Sequence, residues 1–131
     1  MNMQMSQGYQ AYQRNKFETA SPHRLILMLY DGALTNINRA RAALEAGKKA
    51  DAHNHLQKSQ DIVFELIACL NEEQGGEIAA NLRNIYMYVI ERLVQANVRK
   101  DAGLLEEPEN LLKQLREAWA QIGKEVSHGA I

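Results

Sequence analysis

The residues able to do chemistry are few. The stretch "AHNHLQKS" (52–59) sets His53 and His55 two positions apart, with Lys58 and Ser59 following. Positions two apart do not share a helix face, so the two imidazoles cannot chelate one metal by local geometry. A histidine phosphotransfer bundle uses an exposed mid-helix histidine followed by a lysine and a small residue, and His55 offers a loose version of that pattern. It stands near the start of its helix, however, and both histidines read more simply as solvent-facing. A di-metal carboxylate bundle needs inward Glu-x-x-His pairs on two helices, and two such pairs are not present. The sequence also contains no G-x-G-x-x-G, Walker, G-x-S-x-G or H-E-x-x-H motif. No catalytic residue, metal or cofactor is expected.

Cys69 is the single cysteine, which excludes an intrachain disulfide and points to a reducing compartment. With Ile67 and Leu70 beside it, its thiol reads as a small core or groove residue rather than a nucleophile. Fifteen Lys and Arg against sixteen Asp and Glu leave a net charge of −1, so no field draws the chain to nucleic acid or anionic lipid. The opening "MNMQMSQGYQ" lacks the basic and apolar regions of a signal peptide. No apolar run approaches the ~20 residues that span a bilayer. A cytoplasmic, soluble protein with no membrane insertion is expected.

The elements behind these residues are helices. Residues 1–20 carry no sustained period and read as a flexible N-terminal arm. Ser21-Pro22 is an N-cap with proline at the first helical position. Ile26, Tyr30, Ala33, Ile37, Ala40 and Leu44 then recur at steps of four and three, until Gly47 stops the helix. Asp51 is expected to cap a second helix with the stripe Ala52, Leu56, Ser59, Val63, Leu66 and Leu70. "NEEQGGE" (71–77) reads as a turn. The third helix carries Ile78, Leu82, Ile85, Val89, Leu93 and Ala96, with Gly103 as breaker. Pro108 opens a fourth, with Leu111 or Leu112, then Leu115, Trp119, Ile122 and Val126. The prediction is an all-α, antiparallel up-down-up-down four-helix bundle over 21–127, followed by a short tail, 128–131.

Apolar residues remain after these stripes are assigned. "LILMLY" (25–30) sweeps more than a full turn, so a single core cannot cover all of it. The surplus is Leu25, Leu27 and Met28 on the first helix, Ile62, Phe64 and Ile67 on the second, and Met87, Ile90 and Val94 on the third. Either the core stripes are wide, or these residues form a groove for a partner helix. On the second reading Ile62, Cys69, Met87, Ile90 and Val94 bind the partner, and Val89 and Leu93 keep the core.

Three stretches resemble the FliS family of flagellar export chaperones: "ASPHRLILMLYDGAL" (20–34), "GGEIAANLRNIYMYVIERLVQAN" (75–97) and "LREAWAQI" (115–122). "YQAYQ" (9–13) extends the likeness, so that it runs in order from Tyr9 to Ile122; the tail "SHGAI" has no counterpart. The resemblance implies a non-catalytic bundle that holds the disordered C-terminal segment of flagellin in apolar grooves in the cytoplasm. It also implies that this blocks premature polymerisation, and that flagellin is passed to the type III flagellar export apparatus. An N-terminal segment that lies over the groove and moves when flagellin arrives is implied as well. Tyr9 and Tyr12, three apart and able to share a helical face, are the candidates for such a lid. A monomer or weak homodimer is expected.

Overall fold

The computed structural model describes residues 21–129, with side chains through residue 123. The arm with Tyr9 and Tyr12, and the Val126 side chain, lie outside the described residues. Helix α1 spans Pro22–Glu45 and begins as expected: the Ser21 hydroxyl accepts from the Arg24 amide at 3.1 Å. It ends where Gly47 takes φ +74°, letting the Lys48 amide bond back to the Ala43 carbonyl at 2.8 Å. A left-handed residue just past the last turn is a place where glycine avoids a side-chain clash.

Helix α2 spans Lys49–Ala68, and here the expected cap is corrected. Lys48 holds the cap position without a side-chain bond, and Asp51 lies inside the first turn. The chain reverses so tightly at Gly47 that the helix has started before Asp51 is reached. Asp51 still favours the helix by setting its charge near the positive end of the dipole.

Helix α3 spans Glu72–Arg99. It starts inside the stretch expected to be a turn, because the Asn71 carboxamide accepts from the Gln74 amide at 3.1 Å. Gly76, at φ 51° and ψ −126°, then breaks the regular backbone after a single turn. The far end is corrected too. Lys100, not Gly103, takes the left-handed conformation that ends the helix, and its ammonium bonds the Asn97 side chain. Gly103 instead donates its amide to Asp101 at the start of a 3-10 turn, Ala102–Leu105. Helix α4, Glu106–Gly129, follows directly and extends past the expected end of the bundle. Pro108 falls in its first turn, where no amide hydrogen is required, and is fully buried.

The four helices alternate in direction around one core, as the stripes predict. α1 lies along α2 and α4, and α3 packs against the same two neighbours from the opposite corner. Ile37, Leu56, Val63, Leu66, Val89 and Leu93 are fully buried, joined by Leu105 and Leu112. Leu112 rather than Leu111 is therefore the core residue at the start of α4. The greasy run in α1 divides: Leu29 and Tyr30 are core, and Leu25 and Ile26 pack half-buried against it.

Three core assignments are corrected. Ile90 is 6% exposed and belongs to the core, so it is no surface residue. Because α3 is wedged between α2 and α4, it buries a sector wider than one stripe, and Val89 and Ile90 both fall within it. Ile78, assigned to the core, is 73% exposed just beyond the Gly76 break, and Ile122 is exposed near the end of α4. The expected contrast between Ile90 and Leu93 therefore disappears. Ile90→Glu should lower the melting temperature about as much as Leu93→Glu, on the order of 10 °C or more, because each buries an unpaired charge. Val94→Glu should stay within a few degrees of the parent in the same circular-dichroism melts.

Candidate partner-binding groove

One end of the bundle does not close. α1 begins there, α2 ends, and the broken first turn of α3 crosses over, leaving an apolar pocket of ≈ 410 Å³. Ile26 and Tyr30 of α1 form one wall, and Leu66 of α2 with Cys69 and Leu70 just past its end another. Ile78, Leu82 and Tyr86 of α3 line the third, and Trp119 of α4 completes it. No charged side chain contributes to the lining. The volume and apolar character suit a side chain or two of a partner rather than a polar metabolite.

The pocket is held open by aromatic residues fixed in place. Trp119 donates its indole N–H to the His23 carbonyl at 2.9 Å, and His23 donates Nε2–H to the Trp119 carbonyl at 2.7 Å. Their rings stack at 5.0 Å with planes 14° apart. The His23 ring occupies the space in which a side chain at position 123 would stand, so glycine at 123 is a packing requirement. On the floor, the Tyr30 and Tyr86 hydroxyls lie 2.5 Å apart across the diagonal of the bundle. Burial, reinforced at Tyr30 by the bond to Tyr86, pushes the Tyr30 phenol far above its usual range. Burial pushes Tyr86 upward as well.

The residues expected to bind a partner do not form one patch. Cys69 is exposed and lines the pocket, and burial of part of its surface raises its thiol, which keeps it protonated. Ile62 packs half-buried against the core, with its Cδ1 facing Gly32 of α1. Met87 and Val94 are exposed on α3. At offsets of seven and eleven residues, Met87, Val94 and Val98 fall within about 40° of one another and make an apolar stripe along the outer face. Ile90 lies beneath that surface in the core.

Several lining residues escaped the sequence reading. The stripes place Tyr30, Leu66, Ile78, Leu82 and Trp119 in the core, and these residues also line the pocket. The paired glycines 75 and 76 were the available signal, since a break there leaves the first apolar positions of α3 without a full set of neighbours. His55 is also corrected: it is half-buried, and its Nδ1 donates to the Asn36 side chain of α1 at 3.2 Å. His53 is exposed and accepts from Asn97 at 2.9 Å. Among the described residues, no three His, Cys, Asp or Glu side chains converge as a metal site. No described helix is long and apolar enough to cross a membrane.

A second, more polar hollow of ≈ 470 Å³ lies between α3 and α4, bordered by Arg92, Leu104, Glu107, Leu111 and Gln114. Glu107 is engaged by the Tyr88 hydroxyl at 2.7 Å and lies 3.6 Å from the Arg92 Nε.

The two buried phenols carry a pH dependence. Their folded pKa values exceed the ordinary value of 10.0, so above that pH the unfolded chain binds fewer protons than the folded one. Their contribution to stability is complete below pH 10 and falls as pH rises beyond it. Melting temperatures measured between pH 8 and 11.5 should decline above pH 10, and the slope should be shallower in the Tyr30→Phe, Tyr86→Phe double variant.

Comparison with known proteins finds relatives that match nearly the whole chain. A family model described as "Flagellar protein FliS" matches residues 5–126. The flagellar secretion chaperone FliS of Salmonella typhimurium is 45% identical, over 95% of this chain and 96% of its own length. The proteins of the same name from Bacillus subtilis and Escherichia coli are 40% and 33% identical, each covering 91% of this chain. The Bacillus match takes in 88% of that relative and the Escherichia match 91%. On these matches the chain belongs to the FliS family of flagellar secretion chaperones, and it is not an enzyme.

Proposed function

We propose that this protein binds the disordered C-terminal segment of flagellin in the cytoplasm, prevents its premature polymerisation and delivers it to the flagellar type III export apparatus. The observation that carries the reading is the uncharged, mainly apolar pocket left open at one end of the bundle. The exposed stripe of Met87, Val94 and Val98 on α3 supplies further apolar area for a segment that wraps the surface. A flagellin tail is amphipathic and would self-associate if left bare, and a segment that folds on binding gives up part of its interaction energy to ordering. Tight cover and later release are thus compatible. The histidine phosphotransfer alternative is disfavoured, because His55 is half-buried and bonded to Asn36.

Ser21, which follows residues 1–20 in the sequence, stands two residues before the His23–Trp119 stack at the pocket. The proposal therefore includes Tyr9 and Tyr12 as a removable lid, covering apolar surface at high effective concentration until flagellin displaces them. The protein acts as a monomer or weak homodimer.

Two measurements check this reading. Isothermal titration with the C-terminal segment of flagellin from the same bacterium should give saturable binding. The Met87→Glu, Val94→Glu double variant should bind about tenfold more weakly at an unchanged melting temperature, since apolar contact is replaced by charge at exposed positions. His55→Ala should bind flagellin as the parent does. Deletion of residues 1–14 should raise binding of a hydrophobic dye to the free protein and change flagellin affinity. A truncated chain that stays equally monodisperse and binds identically would remove the lid from the proposal.

A further inference from the structure

The two phenols on the pocket floor hold more hydrogens than the described residues accept. Tyr30 and Tyr86 are each 3% exposed, and their oxygens are bonded to one another. Each hydroxyl carries one hydrogen and two lone pairs. Their mutual bond consumes one hydrogen, and the second has no acceptor among the described residues. Both tyrosines line the pocket, so that hydrogen belongs to whatever enters it. Burial raises both phenols, which keeps them protonated donors at physiological pH.

We infer that the Tyr30–Tyr86 pair is a specificity element that donates a hydrogen bond to an amide carbonyl of the bound segment. This rests on the flagellin reading above and adds to it the chemistry that the pocket selects. The acceptor is a neutral carbonyl and not a carboxylate, because the lining contains no cation to balance a buried charge. Carbonyls within a helix are already taken by the amide four residues on. The pocket therefore receives a helix C-terminus, an extended stretch or an Asn or Gln side chain, flanked by apolar residues. The middle of a helix does not satisfy it.

The pairing also predicts an uneven response to substitution. Tyr30→Phe or Tyr86→Phe leaves one hydroxyl, whose single hydrogen is released from the pair and can still be given to the ligand. Only the double variant removes both phenol donors; the Asn71 and Gln74 carboxamides, which also line the pocket, are present in every variant and do not distinguish them. Replacing both members of a buried hydrogen-bonded pair by isosteric apolar groups is close to neutral for folding.

The test is titration of the flagellin C-terminal segment into the full-length parent, both single variants and the double variant, with melts of each free protein at pH 7. Each single variant should bind within about threefold of the parent, and the double variant about tenfold more weakly, with its melting temperature within a few degrees. A double variant that binds as tightly as the parent overturns the donor role and leaves the chaperone reading intact. A parent that does not bind the segment refutes the flagellin-binding reading itself. If the double variant fails to fold, nuclear magnetic resonance of the tyrosine-labelled parent decides the matter. One hydroxyl proton should move downfield and exchange more slowly when the segment is added, and hydroxyl signals unmoved by saturating segment would overturn the inference.

Discussion

The close seam between α1 and α2 governs the rest of the molecule. Ser59 of α2 donates its hydroxyl to the Ala33 carbonyl of α1 at 3.0 Å, which requires the two backbones to run unusually near each other. Only small residues permit this, and Gly32, Ala33, Ala40, Ala52 and Ser59 line the approach. A methyl group at Gly32 would stand 3.2 Å from the Ile62 Cδ1, so even that addition would require the Ile62 side chain to give way by a few tenths of an ångström. With the middle of the seam pinned, helix spacing elsewhere follows from the size of the side chains placed there.

That constraint explains why the bundle opens at one end. Beyond Ala33, toward the start of α1, the core residues become large. Tyr30 and Tyr86 reach across the diagonal, with ring centres 6.4 Å apart, and Trp119 stands against His23 at the edge. Rings of this size cannot interdigitate as tightly as alanines, and the Gly76 break turns the start of α3 away from regular packing. The resulting space is largely apolar because most of the side chains around it belong to the apolar stripes, with Asn71 and Gln74 as the polar exceptions at its rim.

Polar contacts then fix α4 upon α1 along its length. Arg41 holds Glu109 through both carboxylate oxygens, at 2.7 and 3.3 Å, and Arg116 reaches Asp31 at 2.5 Å. The His23–Trp119 exchange completes the series at the pocket. The Arg116 contact is solvent-accessible and adds little stability on its own. Glu109 is mostly buried, and its fork with Arg41 sets the register that brings Trp119 to the pocket. A chaperone needs this arrangement: a rigid frame around an unfilled apolar surface, so that the partner and not the frame supplies the missing contacts.

The sequence by itself determined the helices, their number and their alternation. Apolar steps of three and four, Ser21-Pro22 and Gly47 are local signals, and local backbone physics decides them. It also determined that apolar residues exceed what four stripes need. It did not determine which residues are surplus. Ile90 and Met87 look equivalent in a one-dimensional pattern, yet Ile90 is core and Met87 is exposed, because α3 faces two neighbours at once. Ile78 sits in perfect register and is exposed, because the Gly76 break removes its neighbours. Tyr30 and Tyr86 are 56 positions apart, and only folding brings their hydroxyls together. Periodicity records which side of a helix is apolar; whether that side is covered depends on how near the next helix lies, and distance between helices is a property of the packed whole.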